Sequence, residues 1–170
     1  MATLTVWKFE TPAGATNALQ TLADLQRQHL ITLIDAAVVT WPVGSAKPKT
    51  RQANDLVGRG ALDGAFWGML FGFLFFVPLV GMAVGAAMGA LSGRFADYGI
   101  RDDFIQEVKA KVTEGSSALF LLTAAVTRDK VQEAFAGVRM ELITSNLTAE
   151  EEAELRADFG ERADDEPRTS

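Results

Sequence analysis

The chain has 170 residues, no cysteine and a formal net charge of −6. Its length allows one modest globular core beside an apolar segment, and the lack of cysteine excludes disulfides, thiolate metal sites and cysteine nucleophiles. Because nucleic-acid binding needs clustered Lys and Arg, the acidic balance makes nucleic acid a poor partner.

Residues 1–56 predict the first half of an α+β domain. The strands are indicated by alternating or β-branched apolar residues, and the helix by apolar residues at three- and four-residue steps after a Thr-Pro start. The predicted elements are a strand at Leu4–Phe9, a helix from Thr11 to Gln28, a second strand at Ile31–Trp41 and a basic loop at Pro42–Asn54. The second strand is predicted to be continuous or to kink near Asp35.

Residues 98–159 repeat this order and predict the second half of the domain. The predicted elements are a helix capped by Asp102 or Asp103, a strand at Ala118–Val126, a helix from Thr127 to Gly137, a strand at Val138–Ile143, and a last helix opened by a Thr148–Glu151 capping box. Two such βαβ units predict a ferredoxin-like, four-stranded sheet. Residues 160–170 are predicted to be a disordered acidic tail.

Thirty consecutive residues between Asp63 and Arg94 carry no charge. Glycines recur there and beside it at every fourth position in two series: Gly60, Gly64, Gly68 and Gly72, then Gly81, Gly85, Gly89 and Gly93. This spacing puts each series on one helix face, where two backbones can approach closely. One straight helix of this length would extend about 45 Å, well beyond a hydrocarbon core of about 30 Å. We therefore predict a glycine-zipper transmembrane helical hairpin at 57–97 that turns at Pro78 and either spans the membrane fully or is re-entrant.

Basic residues flank the uncharged segment and are absent from its predicted tip. Arg59 precedes it and Arg94 follows it, so the positive-inside rule predicts an inner-membrane hairpin with both termini in the cytoplasm. Asp63 lies four residues after Arg59, which predicts an ion pair at the membrane boundary. In the alternative interpretation, Asp63 lines a gap between subunits and attracts cations toward a pore.

No residue pattern in the chain predicts catalysis, a cofactor or a metal site. His29, the single histidine, lies at the end of a predicted helix, where interaction with the helix dipole is an ordinary role. Asp102 and Asp103 precede an amphipathic helix, which favours capping over metal binding. We therefore predict a non-enzymatic protein without catalytic, cofactor-binding or metal-binding residues.

The insert and the segments after it resemble a bacterial family known as domain of unknown function twelve sixty-nine. The residues that carry the resemblance are GALDGAFWGMLFGFLFFVPLVGMAVGAAMGALSGRFADYGI at Gly60–Ile100, followed by DDFIQEV and SALFLLTAAVTRDKV. The likeness extends from Trp7 to about Leu155. It implies an integral membrane protein of bacteria, related to general stress proteins, with no established enzyme activity, cofactor or functional residues.

Three functions are compatible with these expectations. The first is a homo-oligomeric membrane protein with a structural or stress-related role, whose partners are lipid and further copies of itself. The second is an ion-conducting pore. The third is a membrane-tethered regulatory module whose open sheet face receives a small molecule or a partner, and the sequence does not identify that ligand.

Overall fold

The computed structural model describes residues 3–53, 64–76, 95, 98–126 and 128–164. The elements in chain order are β1 (Thr3–Phe9), α1 (Gly14–Arg27), β2 (Ile31–Thr40), β3 (Lys49–Gln52), α2 (Gly64–Phe71), a π-helix (Gly72–Phe76), α3 (Asp102–Lys111), β4 (Ser117–Val126), α4 (Arg128–Ala134), β5 (Met140–Ser145) and α5 (Ala149–Asp164). The last helix therefore continues past Gly160, where the sequence predicts a disordered tail.

The strands form one five-stranded sheet in the order β3-β2-β4-β1-β5. Every neighbouring pair is antiparallel. Strand β4 of the second half lies between β1 and β2 of the first half, and β1 lies between β4 and β5. Each half therefore completes the sheet of the other, as the two interleaved βαβ units predict. The predicted number of four strands is wrong, because β3 forms within the segment predicted as a basic loop and pairs with Ala37–Thr40.

Alternating strand residues supply two separate cores, one on each side of the sheet. On the α1 face, the core includes Trp7, Phe9, Leu119 and Leu121 together with side chains of α1, α4 and α5. On the α2 face, the core includes Leu4, Val6, Phe120 and Leu122 together with side chains of α2, the π-helix and α3. The sheet face that the binding-module hypothesis left open is thus covered by helices.

The described part of the apolar insert, residues 64–76 and 95, does not have the structure predicted from its hydropathy. Helix α2 has 8 residues and the π-helix has 5, and no helix within the described ranges is long and apolar enough to cross a membrane. Five of its side chains are instead buried against the sheet: Phe66, Trp67, Leu70, Phe71 and Leu74. The predictions of a transmembrane helical hairpin and of a multi-pass inner-membrane location with cytoplasmic termini are therefore wrong. The hydrophobic effect removes apolar side chains from water against protein as readily as against lipid, so hydropathy alone does not distinguish the two.

Gly64, Gly68 and Gly72 are the members of the two predicted glycine series that the structure describes. A Cβ atom built at Gly68 or Gly72 meets no atom of the described residues within 4 Å, and Gly68 is exposed. The glycines predicted to face these two positions lie outside the described ranges. The glycine-zipper transmembrane hairpin is wrong on the length of the described helices, while the packing role of the individual glycines stays a prediction. The remaining predicted residues lie outside the described ranges: Gly60, Gly81, Gly85, Gly89, Gly93, Pro78, Arg59, Asp63 and Arg94.

The ends of the helices show which local predictions hold. The capping box of α5 is confirmed, since the Glu151 side chain accepts from the Thr148 N–H (3.1 Å) and the Thr148 hydroxyl accepts from the Glu151 N–H (3.3 Å). Helix α1 starts at Gly14, and a residue far away in the sequence caps it. The Ser117 hydroxyl, on β4, accepts from the Ala15 N–H at 2.9 Å and donates to the Thr11 carbonyl at 2.7 Å.

Replacing Gly68 tests whether its open side is free of close packing. Gly68→Ala should raise the free energy of unfolding by about 1 kcal/mol, because alanine is the better helix former and its Cβ has room. Chemical denaturation of the full chain measures this change. The matched control is Gly14→Ala, which should destabilise the protein because the new Cβ would collide with the Phe9 side chain. A loss of stability in Gly68→Ala would contradict the open placement.

Candidate functional site

A small apolar pocket lies between the sheet and α5 on the α1 face. Its volume is about 80 Å³. The side chains that enclose it come from the strands and from every helix of this face, and include Trp7, Leu22, Leu121, Val131, Phe135, Leu155 and Phe159. Alternating side-chain directions along β4 place Leu119 and Leu121 on this side, where both are buried and line the pocket.

The two hydroxyl side chains in the pocket wall belong to Thr5 and Thr123. The Thr5 hydroxyl accepts a hydrogen bond from the Trp7 indole N–H at 3.0 Å, and this bond is buried. The indole N–H of Trp7 therefore has its hydrogen-bond partner within the pocket wall. Apolar cavities of this kind stay dry, and one of about 150 Å³ is large enough for benzene. At about 80 Å³, this pocket suits a short alkyl chain, or a larger group if α5 moves.

Helix α5 forms the roof of the pocket through two side chains. The Phe159 ring meets the Trp7 ring edge-on with centroids 5.1 Å apart, and Leu155 packs beside it. Phe159 also lines two further clefts, one toward the start of β1 and one toward β5. Open space therefore adjoins the roof on both sides.

Arg156 fastens α5 to the edge strand β5. Its guanidinium donates to the carbonyl oxygens of Leu142 (3.3 Å) and Ile143 (2.9 Å). Ile143 is the extra residue of a bulge, because Val6 faces Thr144 and Trp7 faces Leu142, so its carbonyl falls out of the ladder. Glu152 completes the link with an ion pair to Arg156 at 2.7 Å.

The Arg156→Met variant tests the attachment of the roof. Methionine keeps the apolar stem but loses the charged hydrogen bonds to the edge strand, so the free energy of unfolding should fall by about 1–2 kcal/mol. Hydrogen exchange of the α5 amides should accelerate by more than that of the β4 amides.

The control is Arg27→Met, whose ion pair with Asp24 is largely exposed, with side-chain exposures of 74% and 56%. This control should change stability little. Unchanged exchange of α5 in Arg156→Met would contradict the role of Arg156 as its fastening.

A second polar feature lies on the α2 face, where the side chain of Asp35 is fully buried. Leu33 faces Thr123 and Asp35 faces Leu122, so Ile34 is an extra residue in β2. Strand β2 is thus continuous from Ile31 to Thr40 and carries a bulge next to Asp35, which turns Asp35 toward α2. Asp35 was not predicted as a site residue, although a carboxylate within a mostly apolar strand was the available signal.

Among the described residues, donors to the Asp35 carboxylate come from β2, β3 and α2. The donors are the Ala36 N–H at 2.8 Å, the Trp67 indole N–H at 3.1 Å and the Gln52 side-chain amide at 3.3 Å. The Trp67 ring also packs edge-on against the Phe120 ring of β4, with centroids 6.1 Å apart. Asp35 therefore ties β2, β3 and α2 together, which is a structural role.

Trp67→Phe tests this tie, because phenylalanine preserves most of the aromatic packing and removes the indole N–H. The buried carboxylate then loses one donor, which should lower the free energy of unfolding by about 1–3 kcal/mol. Trp41→Phe is the control, since its indole donates to the Ser45 carbonyl in a partly buried loop at 3.0 Å. Equal losses in the two variants would contradict a special contribution from the Asp35 contact.

The other residues weighed from the sequence take ordinary structural positions. His29 is exposed and ends α1 in the left-handed region, with φ 59°. Helix α3 begins at Asp102 with Arg101 at the N-cap position and no side-chain capping bond, so the predicted capping by Asp102 or Asp103 is wrong. The Asp103 side chain accepts from the N–H of the next residue, Phe104, at 3.0 Å. In the part of the chain that the structure describes, no group of His, Asp and Glu side chains could hold a metal ion.

A protein-family model described as "Protein of unknown function (DUF1269)" matches residues 61–160. The match covers more than half of the 170 residues and confirms the resemblance carried by the insert and the second half. No curated protein and no solved structure matches the chain.

Proposed function

The chain belongs to the DUF1269 family of proteins of unknown function, and we propose that it is a non-enzymatic binding module that takes a small apolar group into the pocket beneath α5. The observation that carries this proposal is the pocket itself, an apolar space of about 80 Å³ under a helix held by few side chains. Binding sites for small molecules are typically concave and mostly apolar.

The chemistry of the pocket wall supports binding rather than catalysis. General acid–base catalysis needs a titratable group within hydrogen-bond reach of the substrate. The described lining contributes two threonine hydroxyls as its polar side chains, and that of Thr5 is bonded to Trp7. A guest in this pocket would therefore gain burial of its apolar surface without meeting a nucleophile and its base.

The position of α5 makes the module suited to regulation. A guest larger than the pocket displaces Leu155 and Phe159, and this movement strains the contacts of Arg156 with the edge strand β5. Release of those carbonyl oxygens would expose an unpaired strand edge, the kind of surface that accepts another chain. The regulatory hypothesis therefore still involves binding of a small molecule or a partner, but the proposed site lies on the α1 face and not on the face covered by α2.

Binding of n-hexanol to the full chain tests the proposed pocket and its movable roof, because a six-carbon chain needs more room than about 80 Å³ and must displace α5. We expect saturable binding by calorimetry, together with a rise in the unfolding temperature. Val131→Phe should abolish both effects, because the larger ring fills the pocket, and it should leave a folded protein. Val43→Phe is the matched control at a side chain that is 79% exposed and should bind as the natural chain does. Absent binding, or equal binding by Val131→Phe, would overturn the proposal.

A further inference from the structure

The pocket beneath α5 shares a wall with a larger cleft. This cleft has a volume of about 370 Å³ and lies toward the start of β1. Four residues line both spaces: Thr123, Val126, Leu155 and Phe159. The wall therefore includes Leu155 and Phe159, the two roof side chains that a guest larger than the pocket displaces. Their displacement joins the pocket to the cleft.

Val126 gives the cleft an apolar surface next to the pocket. Its side chain is 44% exposed, and Leu147, which also lines the cleft, is half-buried. An aliphatic chain lying over these side chains would remove further apolar surface from water. The charged residues of the described lining, Glu151 and Glu154, are exposed, so the cleft keeps a hydrated side on which a polar head group can stay in water.

We propose that the ligand of this site is an unbranched aliphatic chain of more than six carbons, with its end in the pocket and the rest in the cleft over Val126. This inference rests on the proposed binding function and specifies its ligand class. The pocket alone, at about 80 Å³, is smaller than the cavity of about 150 Å³ that holds benzene, so a longer guest gains burial by continuing into the cleft. The passage runs between the roof side chains of α5 and strand β4. A branched guest would have to lift α5 further and lose its packing.

A series of alcohols tests the inference on the full protein: n-hexanol, n-octanol, n-decanol and the branched 2-ethyl-1-hexanol. Calorimetry measures the Kd of each alcohol below its solubility limit. Among the linear alcohols, the Kd should fall about two- to fourfold for each added methylene, as partial to full burial of a CH₂ group predicts. The branched alcohol has as many carbons as n-octanol but should bind no more tightly than n-hexanol, because its ethyl branch does not fit the passage.

The Thr3→Phe variant fills the cleft and leaves the pocket unchanged. Thr3 belongs to the described lining of the cleft and not to that of the pocket, and alternation along β1 places it on the same face as Thr5 and Trp7. In this variant the Kd of n-decanol should rise to that of n-hexanol, whose own Kd should not change. Retained binding of n-hexanol also shows that the variant is folded. Thr50→Phe, at an exposed position of β3, is the matched control and should keep the dependence on chain length.

The outcomes separate this inference from the proposed function. If n-hexanol binds in the pocket and the longer alcohols bind no more tightly, the chain assignment is overturned while the binding function stands. Equal binding of n-octanol and its branched isomer, or a dependence on chain length that survives Thr3→Phe, also overturns it. If none of the alcohols binds, the proposed function fails and the inference fails with it.

Discussion

The structure depends on the burial of strand β4 on both of its faces. Apolar and polar residues do not alternate along the middle of this strand. Four successive residues are apolar and buried: Leu119, Phe120, Leu121 and Leu122. A half-exposed antiparallel strand would place a polar residue at every second position, whereas a strand buried on both faces reads as a continuous apolar segment. Two covering layers are therefore required: α1, α4 and α5 on one side, and α2 with α3 on the other. The insert supplies part of the second layer, which explains why its aromatic side chains pack against the sheet.

The two layers are secured by different means, and this difference places the candidate site. On the α2 face, the fully buried Asp35 carboxylate accepts a hydrogen bond from the Trp67 indole N–H. The Trp67 ring lies within a cluster of stacked and edge-on rings. On the α1 face, the roof rests on Leu155 and Phe159, and its main polar attachment lies at the edge strand through Arg156. The densely bonded face resists opening, while the loosely covered face leaves space for a guest. Local stability of this uneven kind is typical of proteins in which one element moves to admit a ligand.

The sequence allowed the α+β class, the interleaved halves and the capping box of α5 to be predicted, because local periodicity and capping chemistry encode them. Other features depend on partners distant in sequence. Ser117 caps α1 from a strand about a hundred residues away, and β3 forms because Ala37–Thr40 offers it an edge. The insert was misjudged because Phe66, Trp67 and Phe71 have the same hydropathy against lipid or against Phe120. The pocket was missed because an incomplete fit between Phe159 and the sheet is a property of packing, which no residue pattern records.

The most direct test of this account is the nuclear Overhauser effect between the rings of α2 and β4 in the full-length protein. The ring centroids of Phe71 and Phe120 are 5.3 Å apart, and those of Trp67 and Phe120 are 6.1 Å apart. At these distances, cross-peaks should connect the Trp67 indole and the Phe71 ring protons to the ring of Phe120. An insert whose aromatic protons show no cross-peak to any side chain of β4 would contradict the two-sided burial from which the fold and the site follow.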